Sequence, residues 1–270
     1  MKKIFSLALL LTVALFMASG CSTTSSGGTV STTIPASAAA TSIGALASTS
    51  LSVDNNILGV TSYASIRSSQ VKASAPAAPA YSGGWWTTSA TWEETAGGYS
   101  YSYDWQYRFR IWNAAGDEIK TTAGLDPDGE GLSSSDVSQI WAYVTFDYTL
   151  TTTAGAYTTH YQFGESTDKP FKMEGFGTAS RMMDGYTKFV GAYSGDSYTI
   201  AFTYNSLSLT ASGYPSGSVS FSFGVSAGEA YAGTITYDGT VTAVLAFTSG
   251  GTGTYAIDLE KGTTTVAAAY

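Results

Sequence analysis

Cysteine and histidine are almost missing from this sequence, at one residue each in 270. A lone thiol excludes any disulfide within the chain, so no covalent staple holds the fold. A single imidazole, His160, excludes the usual His-rich transition-metal sites and leaves one conventional base for nucleophilic catalysis. Charge is also scarce: 12% of residues are charged, with 12 basic against 20 acidic. With no basic cluster to displace counterions, phosphate-backbone binding is excluded and no nucleic-acid partner is expected. No Gly-x-Ser-x-Gly elbow sits on a strand-turn-helix pattern, which argues against a hydrolase. From residue 81 onward no segment keeps a helical period.

Long apolar runs are absent except at the start. Met1, Lys2 and Lys3 precede an apolar stretch from Ile4 to Ala18, the layout of a secretory signal and too short for a comfortable permanent span. The stretch ends in Ala18-Ser19-Gly20-Cys21. This resembles the lipobox of bacterial lipoproteins, at which a diacylglyceryl group is attached to the cysteine and the chain is cut before it. The resemblance departs from the commonest pattern at Ala18, where leucine is usual. It implies residues 1–20 as a signal peptide, Cys21 as the lipidated residue, and a membrane partner held through covalent lipid. Each buried acyl methylene contributes ~0.8 kcal/mol, enough for two or three chains to anchor the protein stably. Ser22, rather than Asp, after the cysteine implies the outer membrane. Loss of Lys2 and Lys3 leaves 10 basic residues against 20 acidic ones, a formal charge of −10.

Ser22 to Ala80 is rich in Ser, Thr, Ala and Gly and carries Pro35, Pro76 and Pro79. With little to bury, residues 21–80 are expected to form a disordered tether. Ile57, Leu58, Val60 and Ile66, behind the cap residues Asp54 and Asn55, mark one short helix near 54–71.

The period changes to two at Tyr81. Tyr99, Tyr101, Tyr103, Trp105, Tyr107, Phe109 and Ile111 alternate with Ser100, Ser102, Asp104, Gln106, Arg108 and Arg110. Such a run spans ~40 Å if flat, long for a strand and diagnostic of a bent or coiled sheet. The pattern recurs at Ile140 to Leu150, Tyr157 to Phe163, Tyr198 to Tyr204, Val219 to Val225, and Ile235 onward. Asp238-Gly239 predicts a two-residue hairpin turn, because Gly accepts a positive φ. Residues 81–270 therefore read as one all-β domain: an antiparallel meander of about 10–11 strands, either a curled open sheet or a barrel.

The words Tyr214-Pro215-Ser216-Gly217, Ile235-Thr236-Tyr237-Asp238-Gly239-Thr240 and Tyr255-Ala256-Ile257-Asp258-Leu259 resemble strand ends of uncharacterised all-β envelope lipoproteins. Trp112-Asn113-Ala114-Ala115-Gly116-Asp117 is similar to a strand-to-loop corner in the same group. The resemblance implies fold and address, and no catalytic residues.

Three constellations remain. Asp126, Asp128 and Glu130 fall at the first, third and fifth positions of a calcium-loop pattern and are candidate ligands for calcium, the one cofactor the sequence suggests. Position twelve is Val137 rather than an acid, and the plain reading is an acidic surface loop. Glu93 and Glu94 point to opposite strand faces, which disfavours paired-carboxylate chemistry. Trp85, Trp86, Trp112, Trp141 and Tyr143 are candidate ligand-binding aromatics. The reading with most support is a non-enzymatic envelope lipoprotein that binds an amphiphile or an envelope protein through an aromatic-lined sheet. A surface carbohydrate-binding module that takes a glycan and an outer-membrane β-barrel stand as alternatives.

Overall fold

The computed structural model describes residues 35–61 and 79–267, apart from positions 97, 126–131, 133–134, 177, 179–180, 194–195, 210–212, 227 and 229. A helix, α1 (Ala36–Thr61), precedes a sheet of thirteen strands. In order they are β1 (Ala80–Ser82), β2 (Trp85–Ala96), β3 (Tyr99–Asn113), β4 (Val137–Thr152), β5 (Gly155–Phe163), β6 (Phe171–Glu174), β7 (Arg181–Tyr193), β8 (Asp196–Leu209), β9 (Pro215–Val225), β10 (Ala230–Asp238), β11 (Thr242–Ser249), β12 (Thr254–Asp258) and β13 (Thr263–Val266). A helical turn, α2 (Thr122–Leu125), follows β3.

The strands form an antiparallel meander, with β6 inserted between β4 and β7 off the main path. The path runs from β1 to β13 and its ends do not pair, so the sheet is open. Closure is what a transmembrane barrel needs, because unpaired edge groups find no partner in hydrocarbon. The barrel form of the meander, and with it the outer-membrane barrel, is corrected on this ground. Short strands such as β1, β6 and β13 raise the count above the expected 10–11, since three or four residues carry too little alternation to register.

Period-two patterning sets the register. Phe109 on β3 faces Ala142 on β4, and Tyr107 faces Val144, which faces Phe163 on β5, then Thr187 on β7, Phe202 on β8 and Phe221 on β9. All of these are buried and share the inner face. One continuous core runs from Trp86 on β2 to Leu259 after β12. Along β3 the burial falls from Ile111, fully buried, to Tyr99, 52% exposed. The inner face is thus sealed toward one set of strand ends and half open toward the other.

Residues 36–61 were expected as tether, with a short helix from 54; the helix starts eighteen residues earlier instead, at Ala36. Ala39, Ala40, Ile43, Leu46 and Ala47 are buried against the sheet. The Ser48 hydroxyl donates to the Leu259 carbonyl at 2.6 Å. Gly44 lies so close to β12 and β13 that a Cβ there meets Thr264 Oγ1 at 2.3 Å and Ile257 beyond it. Neither α1 nor α2 is long and apolar enough to cross a membrane. The connection after Asp238 is also longer than the predicted two-residue turn. Tyr237 pairs with Ala243, and the Asp238 carboxylate accepts from the Thr240 amide at 3.0 Å to close the loop.

Residues 1–34 and 62–78 lie outside the described residues. The signal peptide, Ala18, Ser19, Gly20 and Cys21 fall in the first of these, and Asp126, Asp128 and Glu130 of the calcium pattern, in the stretch 126–131, also lie outside the described residues.

Candidate functional site

Two aromatic surfaces lie on opposite faces of the sheet. The first is the open end of the inner face, where cross-strand pairing assembles two transverse rows. Tyr101 faces Leu150, which faces Tyr157, which faces Tyr193. One step further in, Tyr103 faces Tyr148, and across β7 Gly191 faces Tyr198. These aromatic side chains are half-buried rather than sealed. Trp92 on β2 stacks on Tyr101 at 5.6 Å between ring centres, and Tyr157 stacks on Tyr193 at 4.0 Å. Gly191 makes room for the Tyr198 ring, whose atoms come within 2.5 Å of where a Cβ would stand. Burial pushes the Tyr198 hydroxyl well above the ordinary phenol range. A row of rings with apolar faces and polar rims suits an amphiphilic ligand.

The second surface is on the outer face of β2 to β4 and β6. Trp112 and Trp141 meet at 4.9 Å. The Arg110 guanidinium lies 5.0 Å from the Trp112 ring and 5.1 Å from the Trp141 ring, and Lys172 Nζ lies 4.5 Å from the Trp141 ring. Cross-strand register causes this, because Arg110 faces Trp141 and Trp141 faces Lys172. Arg110 Nε donates to Glu118 Oε1 at 2.7 Å, and Lys120 reaches Glu118 Oε2 at 3.2 Å. The Arg110 bond, then the Lys120 bond, hold the Glu118 carboxyl below the usual carboxylate range.

The five aromatics singled out by sequence divide between the faces. Trp112, Trp141 and Tyr143 share the outer face of β3 and β4, and Trp85 is half-buried on the outer face of β2. Trp86 belongs to the inner core at 1% exposure, and its indole donates to the Ile119 carbonyl at 2.7 Å, so it faces no ligand. Sequence reasoning passed over Trp92 and the half-buried tyrosines. Their signal was present in the alternation, but which end of the strands stays uncovered depends on the chain that follows β3, where Ile119 and Leu125 are buried in the core.

His160 stands on the outer face with Nδ1 2.8 Å from Asp147 Oδ1. Asp104 faces Asp147 on one side and Val190 faces His160 on the other, so the ladder sets no hydroxyl directly across from the imidazole. Among the described residues no three His, Cys, Asp or Glu side chains gather as a metal site. A cleft of about 320 Å³ opens where Trp92 and Tyr103 border Glu93, Asp104 and Asp147. A second, of about 440 Å³, is lined by Ser135, Ser138, Gln139, Glu174 and Phe176.

No family model, curated protein or solved structure matches this chain. The functional reading therefore stands on residues and geometry.

Proposed function

We propose that this chain is a non-enzymatic lipoprotein of the bacterial envelope, anchored to the outer membrane through acylated Cys21, that binds an amphiphile on the open end of its inner face. The observation that carries the binding half is the pair of half-buried aromatic rows from β2 to β8. An inner face that served packing alone would be covered along its whole length, as it is at Phe109, Ile111 and Ile140. The anchor half rests on the apolar leader and the Ala18-Ser19-Gly20-Cys21 tetrapeptide.

The binding test is titration of the purified full chain with a brominated fatty acid while tryptophan fluorescence is followed. Saturable quenching is expected, weakened at least about tenfold in a Trp92→Ala, Tyr103→Ala double variant. Quenching absent from the wild-type chain defeats the amphiphile reading. The anchor test is independent: labelled palmitate enters the wild-type chain in cells and not Cys21→Ser, and only the wild type sediments with outer membranes. Equal sedimentation of both defeats the anchor.

A second reading, a carbohydrate-binding module, draws on the outer-face cleft lined by Glu93, Asp104 and Asp147, since carboxylates accept hydrogen bonds from sugar hydroxyls. Binding on a glycan array without acyl quenching favours it over the first.

A further inference from the structure

We infer that the outer-face cluster around Trp141 is an anion site for a phosphate-bearing ligand, separate from the inner-face rows. Three groups in this cluster hold N–H donors that no protein acceptor among the described residues takes up. Lys172 Nζ rests 4.5 Å from the Trp141 ring centre and, among the described residues, has no carboxylate within ion-pair distance. Its cross-strand neighbour Asp184 is spent on the backbone N–H and hydroxyl of Ser206, at 2.9 and 3.2 Å. Glu174, two residues along β6 on the same face, accepts from Gln139 Nε2 at 2.6 Å. Arg110 gives its Nε to Glu118, and among the described residues no hydrogen bond of its terminal nitrogens is seen. Trp141 Nε1 is a buried N–H with no hydrogen-bond partner among the described residues. Arg110 and Lys172 are part-exposed and keep donors available to solvent or a ligand, while a buried indole N–H without an acceptor is costly, so an acceptor oxygen brought to Trp141 is favoured.

Charge points the same way. Glu118 is already matched by two cations, Arg110 and Lys120, which leaves the Lys172 charge in surplus on a protein whose formal charge is −8. Arg110 and Lys172 both lie about 5 Å from the same indole, on the two strands that flank it. The indoles hold both cations in place by cation–π attraction, which lowers the entropy lost when they close on an anion. All the uncommitted groups are donors and two are cationic, the composition that takes a phosphate's acceptor oxygens. Phosphate is presented either by a soluble phosphoester or by a phospholipid headgroup, and both offer this chemistry.

The test is a nitrogen–proton spectrum of the full chain, in which the Trp141 indole N–H is assigned by its loss in Trp141→Phe. Inorganic phosphate is added in one arm, and vesicles of phosphatidylglycerol or of phosphatidylcholine in two others. The indole signal is expected to move downfield and to saturate, in the phosphate arm for a soluble phosphoester, or with phosphatidylglycerol and not phosphatidylcholine for a headgroup. Lys172→Gln is expected to weaken the response about tenfold and Lys172→Arg to preserve it. A signal unmoved in every arm, or one that moves equally in Lys172→Gln, overturns the site. Because Trp92 and Tyr103 lie outside this cluster, their double variant leaves the response intact.

Discussion

At Tyr107 the ring is 1% exposed and the hydroxyl has no hydrogen-bond partner among the described residues. The phenol gains from its stacking on Phe109 at 4.7 Å between centres, while its oxygen forfeits bonds to water. Tyr107→Phe keeps the ring and removes the stranded oxygen, so stability in urea is expected to stay level or rise by up to about 1 kcal/mol. Trp86 is the opposite case, because its indole N–H is satisfied by Ile119. Trp86→Phe removes that bond and leaves a void beside Tyr81 and Phe109, with an expected loss of about 2–3 kcal/mol in the same measurement. Glu118 adds a pH term. Its carboxyl titrates below the ordinary range in the fold, so its contribution is complete above the unfolded value and is lost as pH falls through the lower folded one. Arg110 is 28% exposed, and screening limits the effect to about 1 kcal/mol. Urea midpoints for wild type and Glu118→Gln are expected to differ at pH 7 and to converge as pH falls through the lowered folded value.

The elements divide by how much of their stabilisation is written locally. β3 and β4 could be read directly, since strict alternation over more than ten residues has no other meaning than a two-faced strand. α1 could not. Its buried stripe is Ala39, Ala40, Ile43, Leu46 and Ala47, at helical spacing, but alanine and its Ser and Thr neighbours also compose linkers. What makes this stretch a helix is a sheet surface flat enough for small residues to approach, with Gly44 against Thr264 and Ile257, and that surface is formed more than two hundred residues later. The outer-face site was half legible: the tryptophans stood out, while the cations became partners only through cross-strand register. The docking of α1 has a direct test. Ile43→Ala is expected to cost about 2–4 kcal/mol, and Gly44→Leu about 1–3 kcal/mol by overpacking, against a loss near zero at exposed Ser37. A Gly44→Leu chain as stable as wild type would mean that α1 does not lie on β12 and β13.

For the whole molecule, the open sheet and its uneven cover make the tyrosines a reporter of how the inner face is sealed. There are 19 tyrosines in the chain, and among the described ones on the inner face Tyr107 lies at the sealed end and Tyr101 and Tyr103 toward the open end. Burial pushes the Tyr107 and Tyr198 hydroxyls far above the ordinary phenol range, whereas an unfolded chain ionises its phenols near pH 10. The raised folded value fixes the sign. Stability from these groups is complete below about pH 10 and falls as pH climbs from there toward the folded value, because only the unfolded state sheds its protons. Absorbance at about 295 nm is expected to show one set of tyrosines ionising reversibly near pH 10 and a second set appearing only as the fold is lost. Tyr107→Phe removes one phenol from the late set and leaves the early set unchanged. If all 19 ionise together while circular dichroism still reports native strand, the inner face is open along its whole length and the two-ended division of the sheet is wrong.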